Sequence, residues 1–190
     1  MKDDIRGQLL QSIDIKTRAL ERCVESVEKA ARLLIDCFQR GGTVYICGNG
    51  GSAADAQHVA GELVGRFRIN RQALPCLALT TDSSIMTAVA NDFDFEEVFA
   101  RQVSAFAHPG DCLIALSTSG NATNVLKAAA VARKSKCTVI AFTGETGGQL
   151  KELADCLVAA PSDQTPRIQE VHITLLHIIC GLIEKTMFQS

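Results

Sequence analysis

Five short, mostly apolar runs recur along the chain, each followed by a stretch long enough for a helix, and this alternation restricts the fold more than any other feature. The runs are Thr43 to Cys47, Leu74 to Leu79, Asp111 to Leu116, Cys137 to Phe142 and Ala154 to Ala159. A run apolar at consecutive positions suits a strand covered on both faces, and strands separated by helices pair in parallel through right-handed crossovers. The expectation is an α/β fold, doubly wound, with a five-stranded parallel sheet flanked by helices. Ahead of the first run, residues from about 4 to 40 read as helix broken once, with Val24, Val27, Ala31, Leu34, Ile35 and Phe38 at three- and four-residue spacing. Gly41-Gly42 then stops it.

A length of 190 residues suits one domain, residues 1–190, with the first forty as a helical extension available for oligomer contacts. No repeat, low-complexity segment or Pro/Gly-rich linker interrupts it, and Pro75, Pro109, Pro161 and Pro166 fall beside element boundaries. A charged fraction of 21% and a net charge of −2 give no coat of positive charge to attract nucleic acid. The first eight residues are charged and mixed, and the sequence offers no apolar run of the roughly 18 residues that a membrane span requires. A cytoplasmic protein is expected. The eight cysteines have no CxxC spacing, and Cys47, Cys76, Cys112, Cys137 and Cys156 lie in or beside apolar runs, as reduced packing residues do.

Parallel sheets of this kind bind ligands at the carboxyl ends of their strands. Three such ends carry loops rich in glycine and hydroxyls: Gly48-Asn49-Gly50-Gly51-Ser52, Ser117-Thr118-Ser119-Gly120-Asn121, and Thr143 to Gly148. Glycines let backbone amides approach an oxyanion, hydroxyls donate to it, and the following helix adds its positive dipole end. A phosphate group is the natural guest. Gly48 to Ala53 also satisfies the dinucleotide fingerprint G-x-G-x-x-A, but the second hydroxyl-rich loop suits a compact phosphate gripped by side chains better than a pyrophosphate. Gly144, Gly147 and Gly148 read as turn residues.

The helix following the first loop places His58 and Glu62 four residues apart, on one face. Such a pair is either a solvated surface pair or a proton-moving and metal-holding one. The last long helix, from about Thr165 to Phe188, carries Gln169, Glu170, His172 and His177 in an otherwise apolar stretch. A histidine there is either a core residue bonded to a carbonyl or a functional group. Gln169 and His177 lie about 12 Å apart along the axis, so they meet one ion only if their side chains lean together.

Taken in order, Cys47-Gly48-Asn49-Gly50-Gly51-Ser52-Ala53-Ala54-Asp55-Ala56-Gln57-His58 with Glu62, Ala90-Asn91-Asp92-Phe93, Leu116 to Asn121, and Arg167 to His172 resemble phosphoheptose isomerase, of the sugar isomerase (SIS) fold. The resemblance runs nearly end to end. It implies conversion of sedoheptulose 7-phosphate to D-glycero-D-manno-heptose 7-phosphate, the first step toward the nucleotide-activated heptose of lipopolysaccharide core or related glycans. It also implies a homotetramer with active sites between subunits. By the same resemblance Glu62 is the general base at carbon and His177 the acid serving the oxygens, through a cis-enediol. Ser117, Thr118 and Ser119 hold phosphate; Asn49, Gly50 and Gly51 line the sugar site; Asn91, Asp92 and Gln169 bind hydroxyls. Some family members hold zinc with residues matching His58, Glu62, Gln169 and His177, which implies one loosely held zinc per subunit. The family usually has a further phosphate-binding serine where this chain has Ala122, so either Thr123 substitutes or phosphate binds more weakly. A sister branch of the fold is a non-enzymatic adaptor for the replication initiator DnaA, and looks to have lost the residues matching Glu62 and His177.

Overall fold

The computed structural model describes residues 1–189. Helices α1 (Lys2–Arg22) and α2 (Val24–Gln39) precede strand β1 (Val44–Cys47), and the break between them falls at Cys23. The chain continues through α3 (Gly51–Val64), β2 (Cys76–Ala78), α4 (Ser83–Asp92), α5 (Val98–Phe106), β3 (Cys112–Leu116), α6 (Thr123–Lys134), β4 (Thr138–Thr143), β5 (Cys156–Ala159) and α7 (Thr165–Phe188). All five strands predicted from the apolar runs are present and all pair in parallel, in the order β2-β1-β3-β4-β5.

Alternate residues of the central strands feed two separate cores, as the period of two demands. Cys112, Ile114 and Leu116 of β3 pack with the face covered by α1, α2, α3 and α7, while Leu113 and Ala115 pack with α5 and α6. The edge strand β2 is shorter than its apolar run, and its Leu77 is 41% exposed. Pro75 explains part of this, because it has no N–H to give a neighbour; its carbonyl still accepts from Val44 N at 3.0 Å. All eight cysteines are free, and burial pushes the Cys47 thiol up to about 12, so it packs as a small hydrophobe.

Order 2-1-3-4-5 makes β1 and β3 neighbours whose following loops diverge, and ligands of open α/β sheets settle at that divergence. α7 is the element that closes it. Composition and length alone would let α7 cross a membrane, with a mean hydropathy of 1.4. In the fold its apolar residues Ile168, Val171, Leu175, Leu176, Ile179 and Ile183 belong to the core shared with α2 and α3. The expectation that no apolar run reaches the length of a span is corrected for α7, which is long and apolar enough; packing accounts for part of this apolarity, while Ile178 and Leu182 remain exposed.

His172 is wholly buried on α7, with Nε2 2.9 Å from the Thr143 carbonyl oxygen at the end of β4. This is the core role, with Nε2–H as donor. Burial pushes its pKa down to about 4, against the smaller opposite effect of that hydrogen bond. The unfolded chain therefore binds the extra proton first, and the stability contributed by neutral His172 is complete above about pH 6.5 and lost as pH falls toward 4. Between about pH 7.5 and about pH 5, urea unfolding should show the wild type losing roughly 2 kcal/mol more than His172→Gln, which keeps a donor but takes up no proton.

Candidate active site

The loop following β1 is locked to the start of α6. Asn49 Nδ2 donates to Asn124 Oδ1 and Asn124 Nδ2 to Asn49 Oδ1, both at 2.9 Å, a closed amide pair between the loop after β1 and the first turn of α6. Asn124 is 4% exposed, so its amide has little access to water as an alternative partner. In the loop following β3, Ser117 Oγ accepts from the N–H of Ala122 at 3.4 Å, and Ser119 Oγ accepts from Asn121 N at 3.1 Å. Ala122 is the N-cap of α6 and offers no side chain there. Gly120 has φ 67°, and a Cβ on it would strike the Gly147 carbonyl. Gly147 and Gly148 thus pack against the phosphate-type loop as turn residues.

Helix α3 begins at Gly51, where a Cβ would lie 2.7 Å from Gln169 Nε2 of α7. A side chain at this position would push the Gln169 amide away from the start of α3. Two turns further on the same two helices meet again, with His58 Nε2 2.8 Å from His177 Nε2 and 3.2 Å from Glu62 Oε1. Their rings are T-shaped at 4.8 Å, and His177 also stacks on Phe67 at 5.6 Å with an interplanar angle of 16°. Glu62 is the more sheltered of the two, its side chain 24% exposed against 47% for His58.

The ligand atoms of His58, Glu62 and His177 all lie within 4.8 Å of one another. An imidazole nitrogen carries either a proton or a lone pair, so a single proton on His58 Nε2 must be shared between the His177 nitrogen and the Glu62 oxygen, or two lone pairs face each other. A cation bound by the three lone pairs removes that conflict, and two nitrogens with one carboxylate oxygen suit a divalent metal such as zinc. The residues therefore fit a metal. Asp55, one turn before His58, has one carboxylate oxygen buried without a partner, and burial pushes its pKa up while His58 opposes.

Of the residues expected from sequence, the structure brings His58, Glu62 and His177 together and sets Gln169 against Gly51. Asn49 is used by Asn124, while Gly50 stands open at φ 56° as the N-cap of α3. Ser117, Thr118 and Ser119 form the neighbouring loop, with Ser117 buried and Ser119 exposed. Asn91 and Asp92 are bonded to each other at 2.8 Å on the exposed end of α4, and are not brought to the cluster within this chain. Sequence reasoning missed Asn124 and Phe67. An Asn three residues beyond Asn121 was the only signal for the first, and an aromatic just past α3 for the second.

A doubly wound sheet whose switch-point loops suit phosphate, with a carboxylate and two imidazoles alongside, defines an α/β enzyme acting on small phosphorylated molecules. The SIS domain family matches residues 10–144 of the chain. The phosphoheptose isomerase of Roseiflexus sp. (strain RS-1) is 48% identical over 179 residues, covering 94% of this chain and 91% of that protein. That of Geobacter sp. (strain M21) is 45% identical, covering 99% and 98%. The structure of phosphoheptose isomerase from Neisseria gonorrhoeae superposes with a TM-score of 0.93 at 41% identity, covering 97% of this chain and 98% of that one. The chain belongs to the phosphoheptose isomerases of the SIS-domain family and is an aldose–ketose isomerase.

Breaking the amide pair should loosen the loop after β1 from the start of α6. Asn124→Ala is expected to lower the unfolding free energy by about 1–3 kcal/mol, read from the shift in urea midpoint at unchanged slope.

Proposed function

We propose that the enzyme converts sedoheptulose 7-phosphate to D-glycero-D-manno-heptose 7-phosphate, supplying the heptose of surface glycans from the cytoplasm. The observation that carries the reading is the convergence of Glu62, His58 and His177 where α3 meets α7, in a chain whose loop after β3 carries Ser117, Thr118 and Ser119. Hydroxyls and N–H groups at the start of α6 suit the phosphate. The sugar then lies along Gly50 and Gly51, with its hydroxyls offered to Gln169 and to Asn91 and Asp92. Such an extended arrangement is consistent with active sites between subunits of a homotetramer. Exposed Ile5, Leu9, Leu10, Ile13 and Leu20 on α1 give that assembly an apolar surface to bury.

Chemically, Glu62 removes the proton from C1 of the ketose while the C2 carbonyl oxygen gains one, leaving a cis-enediol. His177 serves the two oxygens, giving a proton at O2 and taking one from O1. Return of a proton from Glu62 to C2 completes the aldose, and the sum of steps leaves the enzyme unchanged. A carboxylate sheltered from bulk water retains its proton long enough to deliver it to the neighbouring carbon. His58, Glu62 and His177, with the amide oxygen of Gln169, are the residues that would hold zinc, which supplies polarisation of the substrate oxygens when bound. With Ala122 at the N-cap of α6, either Thr123 replaces the missing phosphate contact or phosphate is held more weakly.

Turnover of sedoheptulose 7-phosphate is expected from the purified protein, falling by about a thousandfold or more in Glu62→Gln that stays folded. Ribulose 5-phosphate and fructose 6-phosphate should be poor substrates in the same assay. Chelator should lower the rate and added zinc restore it. Absence of turnover on every ketose phosphate, with or without metal, would leave the adaptor role as the alternative, to be tested by binding to the replication initiator.

A further inference from the structure

Beyond the end of α3, the chain turns back through residues 65–75 to reach β2, and this turn is held by a buried ion pair. Arg71 Nε lies 3.2 Å from Glu184 Oε1, with the two side chains 2% and 3% exposed. Glu184 belongs to α7, seven residues and two turns past His177. Its Oε1 accepts from Phe67 N at 2.9 Å, and its Oε2 accepts from Arg68 N at 2.9 Å and Ile69 N at 3.2 Å. Arg71 Nη2 donates to the Glu62 carbonyl at 2.7 Å, and Nη1 to the carbonyls of Leu63 at 2.7 Å, Gln72 at 2.9 Å and Gly65 at 3.3 Å.

These bonds have a specific effect on the site. The last carbonyls of a helix lack intrahelical partners, and Arg71 supplies them for Glu62 and Leu63 with a positive charge at the negative end of the dipole. It thereby fixes the backbone of Glu62 itself. Glu184 fixes the amide of Phe67, whose ring stacks on His177. Burial alone would raise the Glu184 carboxyl, but the three N–H groups and Arg71 outweigh it and hold the pKa below the usual carboxylate value. A buried ion pair is seldom a better source of stability than well-packed apolar side chains, and its best-attested use is to fix register.

We infer that the Arg71–Glu184 pair is a positioning element for the isomerisation, setting the C-terminal end of α3 and the Phe67 turn so that the Glu62 carboxylate and the His177 imidazole face one substrate. The inference rests on the roles proposed for Glu62 and His177. Neither Arg71 nor Glu184 touches the substrate; they act through the Glu62 carbonyl and through Phe67. An arginine and a glutamate 113 residues apart thus form one unit with the reacting groups.

The test compares wild type, Glu184→Gln, Arg71→Lys and Phe67→Leu for kcat and KM on sedoheptulose 7-phosphate, well below each unfolding midpoint. In parallel, the His177 ring Cε1–H resonance is followed against pH by NMR, assigned with His177→Gln. Glu184→Gln and Arg71→Lys should lower kcat by about ten- to a hundredfold while KM stays within about threefold. Both should move the His177 resonance, and Phe67→Leu should cost less in the Glu184→Gln background than in wild type. Folded variants with kcat within about twofold of wild type and an unmoved His177 resonance would overturn the inference, leaving the pair a stabilising feature only. If Glu184→Gln does not fold, Arg71→Lys decides the arm through Glu62 and Phe67→Leu the arm through His177: an unchanged kcat and an unmoved His177 resonance in both overturn the inference. Glu62→Gln separates the two readings. Full turnover in that variant removes the assigned roles, whereas its loss alongside normal Glu184→Gln removes only the positioning inference.

Discussion

Everything at the site depends on α3 and α7 lying against each other in the same direction. Three contacts spaced along the pair define this alignment: Gly51 with Gln169, His58 with His177, and the turn after α3 with Glu184. The first uses the space left by a missing side chain, the second brings two imidazoles together, and the third ties down the far end. Slipping one helix by a single turn, about 5.4 Å, would break all three at once. Apolar packing of Ala56, Val59 and Leu63 with α7 brings the helices together, but it is the polar contacts that choose the register.

The sheet decides where this pair sits. With β1 at the point where strand order reverses, α3 starts at the carboxyl end of β1, beside the loop following β3. The amide pair of Asn49 and Asn124 ties the loop following β1 to the first turn of α6, and so fixes the start of α3 relative to the start of α6. Rigid placement of this sort lets a small set of side chains do proton transfer without reorganising at the moment of reaction.

Much of the fold was legible in the sequence because buried parallel strands and amphipathic helices leave periodic marks. The five strands, the break between α1 and α2, and the span of α7 follow from such marks. His58 and Glu62 were legible as a pair because helix geometry alone puts i and i+4 on one face. Their union with His177 was not, since it depends on how α3 meets α7. His172 and His177 look alike in sequence, yet one is sealed against Thr143 and the other turned to the cluster. Asn124, Phe67, Arg71 and Glu184 were invisible for the same reason: each acts through a partner far along the chain. Glu184 in particular reads as an ordinary charge near the end of a helix, and only tertiary packing makes it buried.

The cluster also has an order in time. His58 and Glu62 leave the ribosome early, whereas His177 follows 119 residues after His58 and Glu184 later still, within the last helix. Long-range pairing of this kind forms slowly, because the loop must close before any contact rewards it. The growing chain therefore carries His58 and Glu62 without His177 until α7 is made, and a product stalled before α7 holds the cluster only in part.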